Sequence, residues 1–116
     1  MVETFEHLNS KQVYLELEKA SREWKEWQGK AIVLDERKKA TFSKCFLKHK
    51  IESKTVIEAE HKARTDKEYT DIVKHYADAE SNLIKAKLHY NNLDRYASLK
   101  QSELKRDLTL MNKQEG

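Results

Sequence analysis

The residues of this chain whose types suit metal or nucleophilic chemistry are five histidines, His7, His49, His61, His75 and His89, and one cysteine, Cys45. Two pairs have helical spacing. Asp71 and His75 are four apart, which sets a carboxylate beside an imidazole on one helix face, and Cys45 and His49 have the same separation. No HExxH and no CxxC occurs, and no third group is evident to orient a Cys–His couple. A glycine-rich phosphate loop is missing, and the carboxylates are scattered rather than gathered. The expectation is therefore an ordinary surface pair at Asp71–His75, a buried structural thiol at Cys45, no metal, no cofactor and no enzymatic activity.

Charge chemistry is more concentrated. The net charge is +3. Counting lysine and arginine against aspartate and glutamate, residues 1–36 carry −3, residues 37–67 carry +6 and residues 68–116 carry zero. The basic middle contains Arg37, Lys38, Lys39, Lys44, Lys48, Lys50, Lys54, Lys62, Arg64 and Lys67. Arg37, Lys44 and Lys48 fall on one helix face, where like charges at i,i+4 repel by ~0.2–0.5 kcal/mol. A polyanion would relieve that repulsion and release its own counterions. Phe42 and Phe46 lie in the same stretch and have the chemistry to stack on unpaired bases. The competing assignment is a solvated basic face with both phenylalanines in the core.

Two long helices must position these groups. Asn9 or Ser10 suits an N-cap, and Gln12 stands three after Asn9 as in a capping box. Val13, Leu17, Ala20, Trp24, Trp27, Ala31 and Leu34 then alternate spacings of four and three, the rhythm of a helix seam. Gly29 interrupts the composition but not the phase, which predicts a surface glycine inside a continuing helix. Past Leu34 the stripe blurs: Lys38 and Thr41 take the next seam positions, and Phe42, Cys45 and Phe46 move to a shifted face, like a stutter. The first helix is expected over about 10–50, after a short lead-in at 1–8. A connecting basic segment follows at about 51–65; Ser53 and Thr55 suit a turn, while Val56, Ile57, Ala59 and Ala63 allow helix. Thr65-Asp66-Lys67-Glu68 reads as a capping box with Thr65 as N-cap, opening a helix over about 66–112. There Tyr76, Leu83, Tyr90, Ala97, Leu104 and Met111 recur every seven residues, with Ile72, Ala79, Ala86 and Leu93 as the companion row.

The fold expected is all-α, with the two amphipathic helices in an antiparallel coiled-coil-like hairpin forming a single helical domain. At 1.5 Å per residue each helix reaches roughly 60 Å. Trp24, Trp27, Tyr76, Leu83, Tyr90, Leu93 and Leu104 are the candidate hairpin and oligomer contacts. A lone two-helix hairpin buries little surface, so self-association is expected. Composition agrees: 116 residues contain no proline and two glycines, too little punctuation for a turn-rich β fold. Mean hydropathy is −0.94. No apolar run approaches the roughly 20 residues of a membrane span. The acidic N-terminus lacks the apolar core of a signal peptide, and a single cysteine excludes an internal disulfide, so a cytoplasmic protein without membrane contact is expected.

The tract Glu60-His61-Lys62-Ala63-Arg64, following a long amphipathic helix, resembles the small helical proteins of bacteriophage recombination modules. It is similar to the UvsY-like recombination mediators, which carry a Lys-Ala-Arg motif after such a helix. The likeness in organisation covers roughly residues 10–110. The family's aromatic and glycine residues after the motif are replaced here by Thr65-Asp66-Lys67. The resemblance implies single-stranded DNA binding, a homo-oligomeric ring, and help in loading a recombinase onto strands coated by single-strand-binding protein, with Lys62 and Arg64 on phosphates. The expected DNA-binding set is Arg37, Lys38, Lys39, Lys44, Lys48, Lys50, Lys54, Lys62 and Arg64. The rival expectation is a structural or adaptor coiled coil that acts through protein contacts and binds no nucleic acid.

Overall fold

A computed structural model describes Phe5 and residues 8–115, with side chains as far as Asn112. Three α-helices account for nearly all of it: α1 Ser10–Lys50, α2 Val56–Thr65 and α3 Lys67–Glu115. Among the described residues there is no strand, and no helix is long and apolar enough to cross a membrane. The expected lead-in at 1–8 lies outside the described residues except for Phe5 and Leu8.

Each helix begins where a side chain can satisfy its free N–H groups. At α1 the capping box forms reciprocally: the Gln12 N–H donates to Asn9 Oδ1 at 2.8 Å, and the Asn9 N–H donates to Gln12 Oε1 at 2.9 Å. At α2, Thr55 Oγ1 accepts the Glu58 N–H at 3.1 Å, and Glu58 reaches back to the Lys54 N–H at 3.2 Å. Residues 51–55 are thus a turn and 56–65 a helix, so the ambiguous connecting segment contains both. The start of α3 departs from expectation. Its N-cap is Asp66, not Thr65: Asp66 is extended, with φ −64° and ψ 134°, and its Oδ1 accepts the Glu68 N–H at 3.0 Å. Thr65 is instead the last residue of α2, and its hydroxyl donates back to the carbonyls of His61 and Lys62. A residue with helical backbone in the preceding helix cannot also be the extended cap of the next.

Gly29 lies inside α1, and a Cβ added there would meet nothing within 4 Å. The buried stripe of α1 also keeps its phase beyond Leu34, contrary to the expected slip. Lys38 and Thr41 are half-buried and Cys45 is buried, continuing the alternation of threes and fours. Lys38 fits because its aliphatic stem can lie along apolar surface while the ammonium sits 4.3 Å from the Tyr76 ring centroid.

The chain divides into two compact units, residues Lys25–Lys85 and the described residues up to Trp24 with those from Ala86 onward. In the first, Ala59 and Ala63 of α2 and Ala79 of α3 are buried, as are Ala31 and Cys45 of α1. Small residues at these positions let helix backbones approach closely. Trp27, Leu34 and Ala79 line one groove of this unit. In the second unit Val13, Ala20 and Leu93 form the core, Trp24 packs on Tyr90 with centroids 5.4 Å apart, and Phe5 packs against His89 and Tyr96.

Of the expected contacts, Trp24, Trp27, Tyr76, Leu83 and Tyr90 are half-buried and Leu93 is only 1% exposed. Leu104 is different. It is exposed, as are Leu108 and Met111, although it lines a groove with Val13 and Leu17. The seven-residue row therefore runs past its packing partners and leaves an apolar edge on the last turns of α3.

Replacing Gly29 by alanine should stabilise the protein by about 0.5–1 kcal/mol, because the helix gains and nothing clashes. Replacing Leu93 by alanine should cost about 2–5 kcal/mol. Urea unfolding followed by circular dichroism measures both, and a destabilising Gly29→Ala would contradict a continuous α1.

Candidate nucleic-acid interface

The basic tract spans the C-terminal part of α1, the turn, and α2, all within the unit Lys25–Lys85. The structure brings acids to half of its ten cations. Lys38 and Lys39 pair with Asp35 at 3.6 and 3.3 Å, and Lys39 also reaches Glu36. Lys44 donates to Glu68 at 2.8 Å, and Lys48 lies 3.6 Å from Asp66. Lys62 of the Lys-Ala-Arg tract pairs with Glu58 one turn earlier at 3.2 Å. The expected repulsion among Arg37, Lys44 and Lys48 is thus answered by Asp66 and Glu68, residues distant in sequence.

Among the described residues, the side chains of Arg37, Lys50, Lys54 and Arg64 form no ion pair. Arg64 lies 5.9 Å from the Phe42 ring centroid and Lys50 lies 6.0 Å from that of Phe46. The residue between Lys62 and Arg64, Ala63, is wholly buried, so the motif's two cations flank a packing position. Arg37 borders a groove lined by Leu34, Thr41 and Lys44 on α1 and by Glu68, Ile72 and His75 on α3. The groove carries both signs of charge.

The phenylalanines are not free platforms. Phe42 and Phe46 stack with centroids 6.5 Å apart, and Phe42 meets Tyr69 edge-on at 5.3 Å. Both rings are half-buried. This aromatic cluster includes a residue that the sequence had not singled out for it. Tyr69 stands seven before Tyr76, so extending the seven-residue row backwards would have found it.

Asp66 is the polar centre of the unit. His49 Nε2 lies 2.8 Å from Asp66 Oδ2, with the His49 and Asp66 side chains only 20% and 11% exposed. The His49 hydrogen bond, then the bond from the Glu68 N–H, hold the Asp66 carboxyl below the usual carboxylate range. Burial first, then the carboxylates of Asp66 and Glu68, push the Cys45 thiol up. Cys45 is therefore a neutral thiol at neutral pH and a poor nucleophile. Asp71 and His75 form no side-chain pair: His75 Nδ1 bonds the Asp71 backbone carbonyl at 2.8 Å.

No known protein family, curated protein or solved structure matches the chain.

Asp66→Asn should lower the thermal midpoint more than Thr65→Ala does, since only Asp66 caps α3 and bonds His49. Because its folded pKa is depressed, the contribution of Asp66 is present above the ordinary aspartate pKa and lost as pH falls through the lower value. Acid titrations followed by circular dichroism should show this limb in the wild type and its loss in Asp66→Asn; equal midpoints for the two variants would place the cap elsewhere.

Proposed function

We propose that this chain is a non-enzymatic, single-stranded-DNA-binding accessory protein of a phage recombination system, assisting recombinase loading as a homo-oligomer. Its long helices lie as an antiparallel hairpin. The order of partners in the unit Lys25–Lys85 supports that arrangement, since residues 38, 42 and 44 of α1 meet 76, 69 and 68 of α3.

One observation carries the binding function. In a tract of charge +6, Arg37, Lys50, Lys54 and Arg64 form no ion pair among the described residues, and the paired Lys39, Lys44 and Lys48 remain 65–70% exposed. Exposed ion pairs contribute at most ~1 kcal/mol, so DNA phosphates can replace the carboxylates at little cost. Phosphate neutralisation supplies affinity without sequence readout, and several copies in one assembly multiply it. The half-buried phenylalanines serve the fold, and the contact is with the backbone rather than with stacked bases. The resemblance of Lys62-Ala63-Arg64 to the recombination-mediator motif points the same way.

A second function, an adaptor coiled coil without nucleic-acid affinity, is favoured by a different observation: the exposed Leu104, Leu108 and Met111 on α3. Binding of a labelled single-stranded oligonucleotide, titrated at several salt concentrations beside a solution mass measurement, separates the two. Affinity should fall steeply with salt, and Lys50→Ala with Arg64→Ala should flatten the slope of log K against log salt by about 0.7 per lost contact. Absence of binding at low salt in an oligomeric sample would instead establish the adaptor.

A further inference from the structure

The groups gathered at the junction of α1, α2 and α3 offer chemistry that DNA binding does not use. Cys45 Sγ, an Asp66 carboxylate oxygen and a Glu68 carboxylate oxygen all lie within 4.8 Å of one another. His49, one helical turn after Cys45, brings Nε2 to 2.8 Å from Asp66 Oδ2. Three side chains able to ligate a metal thus converge from two elements, α1 and the capped start of α3, with His49 bonded to one of them. The thiol is 1% exposed and has no hydrogen-bond partner among the described residues.

We infer that Cys45, Asp66 and Glu68, with His49 orienting Asp66 from outside, form a zinc-binding site that clips the end of α1 to the start of α3. A thiolate with carboxylate oxygens suits Zn2+ and its analogue Co2+; Mg2+ and Ca2+ take oxygen ligands and do not use sulfur. Bonds of about 2.3 Å to sulfur and about 2.0–2.2 Å to nitrogen and oxygen give tetrahedral edges of about 3.3–3.8 Å. The Cys45, Asp66 and Glu68 atoms, now within 4.8 Å of one another, therefore close by up to about 1.5 Å on binding. This movement lies within side-chain rotation, because Glu68 is exposed and neither carboxylate is fully enclosed.

The charge balance also favours a cation. Without one, burial first and then the two carboxylates disfavour a thiolate at Cys45. Binding sends the thiol proton to solvent and leaves Zn–S and Zn–O bonds in its place. Three anionic ligands around Zn2+ leave a net −1, and Lys44 and Lys48 already stand at Glu68 and Asp66 to offset it.

The test uses the full, reduced chain with Zn2+ competed against a chromophoric chelator, and with Co2+ read by absorption. The expected results are one equivalent bound per chain, a thiolate-to-cobalt charge-transfer band in the near ultraviolet, and a higher thermal midpoint with Zn2+. Cys45→Ser, which changes one atom of a buried side chain, should abolish the band, and His49→Ala should weaken binding by about tenfold or more. His75→Ala should change neither. Failure of the wild type to bind either ion overturns the site. So does equal affinity in Cys45→Ser, which would assign the ion to scattered surface histidines.

Discussion

Asp66 does four things at one position in the chain. Its backbone is the extended step between α2 and α3, and its Oδ1 caps α3 through the Glu68 N–H. Its Oδ2 bonds His49, and Lys48 approaches the same oxygen at 3.6 Å. A break between two helices leaves donors and acceptors unpaired at both ends, and these must be satisfied where the chain turns. Asp66 meets that requirement while tying the last turns of α1 to the beginning of α3. The basic tract takes its form from this joint, because Lys44, Lys48 and His49 are all drawn to residues 66–68.

The buried surface around the joint is made of small residues. Ala31, Cys45, Ala59, Ala63 and Ala79 are buried in the unit Lys25–Lys85, and the larger Phe42, Phe46, Tyr69 and Tyr76 border them as half-exposed rings. Burial of small side chains removes little apolar area each, so this unit gains more from close helix approach and ring contacts than from bulk. Cations lie over the rings of the cluster: Lys38 over Tyr76, Lys50 over Phe46 and Arg64 over Phe42. The same residues that shield apolar surface thus supply the positive charge proposed to meet phosphate.

Much of this was legible in residue order. The Asn9–Gln12 box needs only residues three apart, and both of its hydrogen bonds form. Gly29 was placed correctly by phase, since a reversal would have had no reason to preserve the spacing from Trp27 to Ala31. The choice between Thr65 and Asp66 was not legible locally. Both are capping residue types, and the answer depends on whether α2 claims Thr65, which is decided by the burial of Ala59 and Ala63. Lys38 stands at a seam position by its spacing, but a hydrophobic template does not credit an aliphatic stem, so the stripe read as slipping where it continues. The convergence of Cys45 and His49 with Asp66 and Glu68 was half visible, as a pair four apart; its other half lies about 20 residues away and required the turn at 51–55.

Amide chemical-shift mapping, with single-stranded oligonucleotide added to the labelled full chain, tests the DNA-binding account most directly. The account predicts shifts confined to the basic tract and largest near Arg37, Lys50, Lys54 and Arg64, fading as salt is raised. Shifts centred on Leu104, Leu108 and Met111, or no shifts at low salt, would contradict it.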